Sequence, residues 1–307
     1  MRLSTVETIY EAALENPDIH FMSGDLGHVK TKEFQKNLRA QYLNAGMAEQ
    51  NIIGVAAGLA LTGKKVFAYS IVPFITLRCL EQIKDDVCNH NIDVTVIGIG
   101  GGFAYGNAGA THYSIEDIAA LRALPNMKIV CPATPYEAKM LTKEVIRLGG
   151  PAYIRLGRGK EPNLEKEYSV EFGKAVVVNL GNDVTIFVSG PIISEALRAA
   201  EILEKENIST EVINMHTIKP LNADIVCDRA KKRKMLFTLE EHNVIGGLGS
   251  AVAEIVSKIR DPRAPLHCFG VPDKWPKLFG SQQYLREQMG ISGELVAEKI
   301  KKEIKTL

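Results

Sequence analysis

Short, unbroken Val/Ile-rich runs that alternate with amphipathic helical stretches constrain this chain more than any other feature. The first set of runs is His20–Ser23, Lys65–Ser70, Val94–Gly100, Lys128–Cys131 and Ala152–Leu156. They do not alternate apolar with polar residues, so each strand needs cover on both faces, as in a parallel sheet layered by helices. Helices are expected between them at Ser4–Glu15, Ala48–Leu61, Thr76–Asn89, Ser114–Ala123 and Pro135–Leu148, with Ser4/Glu7 and Ser114/Asp117 as capping pairs. From Gly157 to about Glu171 the chain turns charged and rich in Gly and Pro, the character of an interdomain connection. The pattern then restarts. Strands are expected at Val184–Ser189, Glu211–Met215, Met235–Glu240 and Leu266–Val271, and helices at Ser194–Glu206, Ala223–Lys232, Leu248–Lys258, Ser281–Gln288 and Gly293–Lys305. The expected fold is α/β, with two parallel or mixed-sheet domains at residues 1–160 and 181–307, joined through 161–180.

Charge excludes several partner classes. The 37 Lys+Arg against 36 Asp+Glu leave a net charge of +1, which gives no field to gather nucleic acid or an anionic membrane. No apolar run approaches the roughly 18 residues of a membrane span, and the N-terminus lacks signal-peptide character. The five cysteines are odd in number, widely spaced and without C-x-x-C, which points to free thiols in a reducing compartment; a cytoplasmic location is expected.

Four segments could carry chemistry. In Gly46-Met47-Ala48-Glu49, Glu49 opens a helix that continues Ile52-Ile53-Gly54-Val55-Ala56-Ala57-Gly58. A helix with so little polar face is buried or lies in a subunit interface. A carboxylate at its start is either a helix-dipole residue or a buried carboxyl whose raised pKa lets it exchange a proton with a ligand. Gly106 to His112 follows a strand, where ligands gather beyond the carboxyl ends of a parallel sheet. Arg155 and Arg158, at another strand end, are either phosphate-binding forks or solvated charges. Glu240-Glu241-His242 suggests metal ligands, but neighbours on an extended chain point to opposite faces and converge poorly. P-loop, G-x-S-x-G and H-E-x-x-H motifs are missing from the sequence.

Taken in order, the segments resemble the pyrimidine-binding and C-terminal domains of the transketolase family of thiamine diphosphate enzymes. The ordered set is Ser23-Gly24-Asp25-Leu26, Gly46-Met47-Ala48-Glu49, Thr111-His112 with Ile118–Arg122, Arg155, Leu239-Glu240-Glu241-His242 and Gly246–Gly249, and it spans nearly the whole chain. The resemblance implies that Glu49 touches N1′ of the aminopyrimidine ring. A carboxyl there shares a proton with the ring and favours the imino tautomer, whose nitrogen removes the proton from C2 of the thiazolium. It implies further that Asp25, Leu26 and Met47 line the cofactor, that Phe74 or Ile75, at the position of the family's aromatic ring, packs on the pyrimidine, and that Arg78 lies beside it, as in deoxyxylulose-phosphate synthases. On the substrate side, His112 resembles a sugar-contacting histidine, and Arg155 and Arg2 fall at phosphate-binding positions. The chain departs from the pattern twice: Ala108, beside Asn107, replaces an aspartate, and Val29, beside His28, replaces a phosphate-holding serine.

In the family the diphosphate and its Mg²⁺ sit on an N-terminal domain with a G-D-G…N motif, which this sequence lacks. The expectation is one half of a split transketolase. It would transfer a two-carbon ketol unit with thiamine diphosphate, work with a separate N-terminal subunit that carries the diphosphate and Mg²⁺, self-associate through the pyrimidine-binding domain and assemble as α₂β₂. The alternatives are a 2-oxoacid dehydrogenase E1 β-type subunit, a deoxyxylulose-phosphate synthase-like enzyme, and a non-catalytic assembly subunit.

Overall fold

The computed structural model describes residues 1–26, 29–159, 161, 163–164 and 168–306. Among these, the first sheet contains β1 (Ile19–Ser23), β2 (Tyr42–Asn44), β3 (Lys65–Ile71), β4 (Val94–Ile99), β5 (Lys128–Val130) and β6 (Ala152–Leu156). Its order is β5-β6-β4-β3-β1-β2, all parallel. The continuous apolar runs have the predicted consequence: every residue of β4 and β6 is buried. Helices cover both faces. They are α1 (Arg2–Glu15), α2 (Val29–Asn37), α3 (Glu49–Leu61), α4 (Val72–Ile75), α5 (Leu80–Gln82), α6 (Asp117–Arg122) and α7 (Pro135–Leu148).

The second sheet, in the order β12-β11-β8-β9-β7, contains β7 (Val176–Asn179), β8 (Val184–Val188), β9 (Thr210–Asn214), β11 (Met235–Asn243) and β12 (Leu266–Val271). Only β7 is antiparallel, along β9. The helices α8 (Ile193–Glu204), α9 (Ala223–Lys232), α10 (Leu248–Val256), α11 (Gln282–Gln288) and α12 (Gly293–Ile304) complete this half. Between β9 and α9 the chain lends β10 (Thr217–Lys219) back to the first sheet, antiparallel to β5. The two halves therefore share a sheet edge as well as a linker.

Three local expectations are corrected. The helix predicted at Thr76–Asn89 begins earlier, at Val72, because Pro73 suits a first helical turn. It breaks at Thr76, whose Oγ1 donates back to the Val72 carbonyl (2.6 Å), then runs through a tight turn at Leu77–Cys79 and a wide one at Ile83–Cys88. Ser4 does not cap α1, which starts at Arg2. Ser114 does not cap α6: its hydroxyl donates to the Asp117 carboxyl (3.2 Å) instead of accepting a backbone N–H. No helix of the described residues is long and apolar enough to cross a membrane.

Candidate active site

A parallel sheet delivers all its strand ends to one edge. Here the ends of β1, β3 and β4 bring Gly24-Asp25, Ser70 and the Gly100-Gly101-Gly102 loop side by side, with Ser23 in register with Tyr69 and Ser70 with Gly98. The first turn of α3 points Glu49 into this edge. Its carboxyl is 2% exposed, accepting from Ser70 Oγ at 2.9 Å and from Arg78 Nη1 at 2.7 Å. Burial, together with the Glu49 charge, pushes the neighbouring Cys79 thiol up to about 12, so it stays protonated at neutral pH.

From Glu49 the site runs outward through touching groups. The Arg78 guanidinium carbon lies 4.3 Å from the Phe74 ring centre, and that ring meets His112 edge to face at 5.2 Å and 71°. The His112 Nδ1 shares a 2.8 Å hydrogen bond with Thr111 Oγ1, which orients the imidazole. Glu49, Arg78, Phe74 and His112 thus form one continuous wall. Asp25 is exposed at φ 51°, with its backbone N–H donating to Asn44 Oδ1 at 3.1 Å and its carboxyl accepting from Asn44 Nδ2 at 3.3 Å. Leu26 is half-buried, while Met47 is 82% exposed beside the buried Glu49. Asn107 and Ala108 lie on the same loop as His112, and both are exposed. Arg2 is half-buried, its guanidinium carbon 5.9 Å from the Tyr69 ring. His28 and the side chain of Val29 lie outside the described residues.

Two predicted site residues fall elsewhere. Ile75 cannot stack on a ligand: it is fully buried in the core with Ile52, Val72 and Cys79. Successive side chains on a helix are rotated by roughly 100°, so in α4 Ile75 turns in and Phe74 turns out. Arg155 is an interior clamp, not a phosphate fork. At 6% exposure its Nε donates to Asp117 (2.7 Å), and its Nη2 donates to Asp117 (3.2 Å) and to the carbonyls of Ser114 and Glu241 (both 3.1 Å). Burial works against charge on Asp117, yet Arg155 and His242 hold its carboxyl below the ordinary carboxylate range. Stability from this pair is therefore present at neutral pH and lost as acid titrates the carboxyl below its ordinary value. Arg155→Met, which strands the Asp117 charge, should cost about 3–5 kcal/mol in urea unfolding. A loss under about 1 kcal/mol, the range of exposed pairs, would contradict the clamp.

Glu240, Glu241 and His242 separate as strand geometry requires. Glu240 accepts from the N–H groups of Leu248 and Gly249 at the start of α10. Glu241 faces the Gly102 loop and α11. Burial pushes His242 down to about 4, and its Nε2 accepts from Ala119 N–H at 3.2 Å. Sequence reasoning missed Asn44 and the role of Ser70. Asn44 Oδ1 also accepts from Gly46 N–H (3.0 Å), so it ties the Asp25 turn to the approach of Glu49. Its signal was its place, at a strand end immediately before the Gly46–Glu49 motif.

The two-sheet fold is shared with a solved transketolase chain. The chain belongs to the transketolase family: residues 1–162 match the transketolase pyrimidine-binding domain and residues 173–296 the transketolase C-terminal domain. It is 37% identical to one of the subunits of the apulose-4-phosphate transketolase of Phocaeicola vulgatus, over 89% of this chain and 88% of that one. It is 34% identical to a 6-deoxy-6-sulfo-D-fructose transketolase subunit of Clostridium sp. strain MSTE9, over 96% and 91%. A solved split-gene transketolase, described as an inactive β4 tetramer, superposes with TM-score 0.87 at 34% identity, over 99% of this chain and 97% of that one.

The family's cofactor fits the residues present. Gly24 leaves the approach to Glu49 open, since a Cβ there would stand 3.3 Å from Glu49 Oε1. Phe74 offers a half-buried aromatic face within reach of the same carboxyl through Arg78.

Proposed function

We propose that the chain is the C-terminal subunit of a split transketolase that moves a two-carbon ketol unit from a ketose to an aldose. The observation that carries this reading is the Glu49 carboxyl, buried against Ser70 and Arg78 and opening onto the Phe74–His112 wall. When bound, thiamine diphosphate supplies the nucleophilic carbon that accepts the two-carbon unit. Glu49 would hold the proton at N1′ of its aminopyrimidine. Ser70 and Arg78 fix the two carboxyl oxygens, so that the proton is exchanged at one defined place. Phe74 would offer its face to the ring, and Asp25, Leu26 and Met47 would help to hold it. His112 and Asn107 take the sugar hydroxyls, and Arg2 attracts a phosphate at the same edge.

A separate N-terminal subunit would hold the diphosphate and Mg²⁺ and cover Met47, with two copies of each chain in the assembly. Relatives that are themselves named as subunits support this division. The deciding experiment mixes the purified chain with a candidate partner of similar size that carries a G-D-G…N motif. Ketose phosphates with an aldose acceptor are then offered in one arm, and pyruvate in the other. Ketol transfer is expected in the first arm. Turnover of pyruvate alone would instead favour a 2-oxoacid dehydrogenase, and turnover of pyruvate together with glyceraldehyde phosphate a deoxyxylulose-phosphate synthase-like enzyme.

A further inference from the structure

The loop that carries Asn107 and His112 belongs to the first domain, but its base is held by the second. Gly102 and Ser114 close it as a two-residue antiparallel bridge, with Gly102 N–H donating to the Ser114 carbonyl at 2.8 Å and Ser114 N–H returning at 3.1 Å. Inside, Phe103 and Tyr113 meet edge to face at 5.4 Å, and His112 N–H donates to the Gly109 carbonyl at 3.0 Å. The loop is therefore stiff within itself, and its aim depends on how its base is anchored.

That anchor is Glu241, at the carboxyl end of β11. Its Oε1 accepts from Phe103 N–H at 2.6 Å and from Gln282 Nε2 at 2.9 Å. Its Oε2 accepts from Arg286 Nε at 2.7 Å and also from Arg286 Nη2. Its backbone carbonyl takes Arg155 Nη2. The carboxyl is 5% exposed, and a Cβ on Gly102 (φ 64°) would stand 2.6 Å from Oε1, so loop and carboxyl leave no slack between them. Arg286 is itself held from its far side by Glu195 at 3.5 Å. A second contact comes from α11, where Leu285 fills the space beside Gly106.

We propose that Glu241 is a positioning residue: the C-terminal domain uses its carboxyl to set the aim of the Asn107–His112 loop, and so tunes sugar binding from outside the cofactor site. Its consequence for sugar binding rests on the transketolase reading; its consequence for the loop does not. A buried carboxyl that serves a backbone N–H on one oxygen and a guanidinium on the other cannot be replaced by an amide, which has only one acceptor. Glu241→Gln keeps the volume but must leave one of the two contacts unmade.

The test follows backbone hydrogen exchange in the full chain, which needs no activity. Glu241→Gln should raise exchange in peptides spanning 103–113 at least about tenfold and leave those spanning 49–61 unchanged. In the reconstituted enzyme, KM for the sugar should rise about tenfold or more, with kcat and thiamine diphosphate affinity close to wild type. Unchanged exchange across 103–113 in a folded variant overturns the proposal whatever the enzyme does. Loosened exchange with no ketol transfer in the wild-type assembly sinks the transketolase reading and leaves the anchor standing. A loosened loop with unaltered KM overturns the link to sugar binding. If Glu241→Gln does not fold, Gln282→Ala, which removes only the bridging amide, should give the same pattern at smaller size, and its failure to do so overturns the anchor equally.

Discussion

Glu49→Gln should lower turnover of the assembled enzyme by about 10³-fold or more while leaving fold and assembly intact, since positioned proton transfer contributes roughly 10²–10⁴ to rate. The substitution keeps the side-chain volume and one acceptor oxygen, so Ser70 or Arg78 retains its partner. Arg78 is 45% exposed on its side chain, and an ion pair screened on that side is worth no more than about 1 kcal/mol, too little to unfold a domain. The loss would therefore be chemical. An amide cannot take up or return the proton at N1′, so deuterium exchange at C2 of the bound thiazolium, read by NMR, should slow in parallel with kcat. Near-normal turnover would remove Glu49 from the reaction. Slow turnover with normal C2 exchange would place its role after cofactor activation.

Much of this was legible in the residues themselves. The Val/Ile runs announced buried parallel strands because only a sheet covered on both faces can hide them. The Gly46–Glu49 motif stood out because a carboxylate leading an apolar helix demands a reason. What escaped notice was short or depended on distant partners. Three-residue strands such as Thr217–Lys219 contain a single strongly apolar position and show no period. The inward turn of Ile75 and outward turn of Phe74 follow from Pro73 starting α4 a turn early, which a residue-by-residue match cannot show. Arg155 was misread because its partner Asp117 lies 38 positions away in sequence. A lone arginine at a strand end looks the same whether it faces phosphate or an interior carboxylate.

The isolated chain should show no more than background ketol transfer, and addition of the N-terminal partner should restore activity to a saturable, stoichiometric end point. Surface physics leads to this expectation. Helix α3 buries Ile52, Ile53, Ala56 and Ala57, yet its other face presents Asn51, Gly54, Val55, Gly58 and Leu61 to solvent, with Leu61 63% exposed. A Cβ at Gly54 or Gly58 would meet nothing within 4 Å, so a backbone from another chain can approach closely along that stripe. Met47, 82% exposed, extends the apolar surface up to the mouth of the Glu49 site. Val55→Arg adds a charge to this face without touching the core, so the lone chain should melt as the wild type does. In the assembly the same charge would be buried without a partner, and reconstitution should weaken by about tenfold or more, each ~1.4 kcal/mol of desolvation counting as one decade. Titration of activity against partner concentration, with light scattering on the same mixtures, measures both effects. Full activity from the lone chain would show that the active site is complete without a partner, and a Val55→Arg variant that assembles normally would show that this face of α3 is not the surface the partner covers.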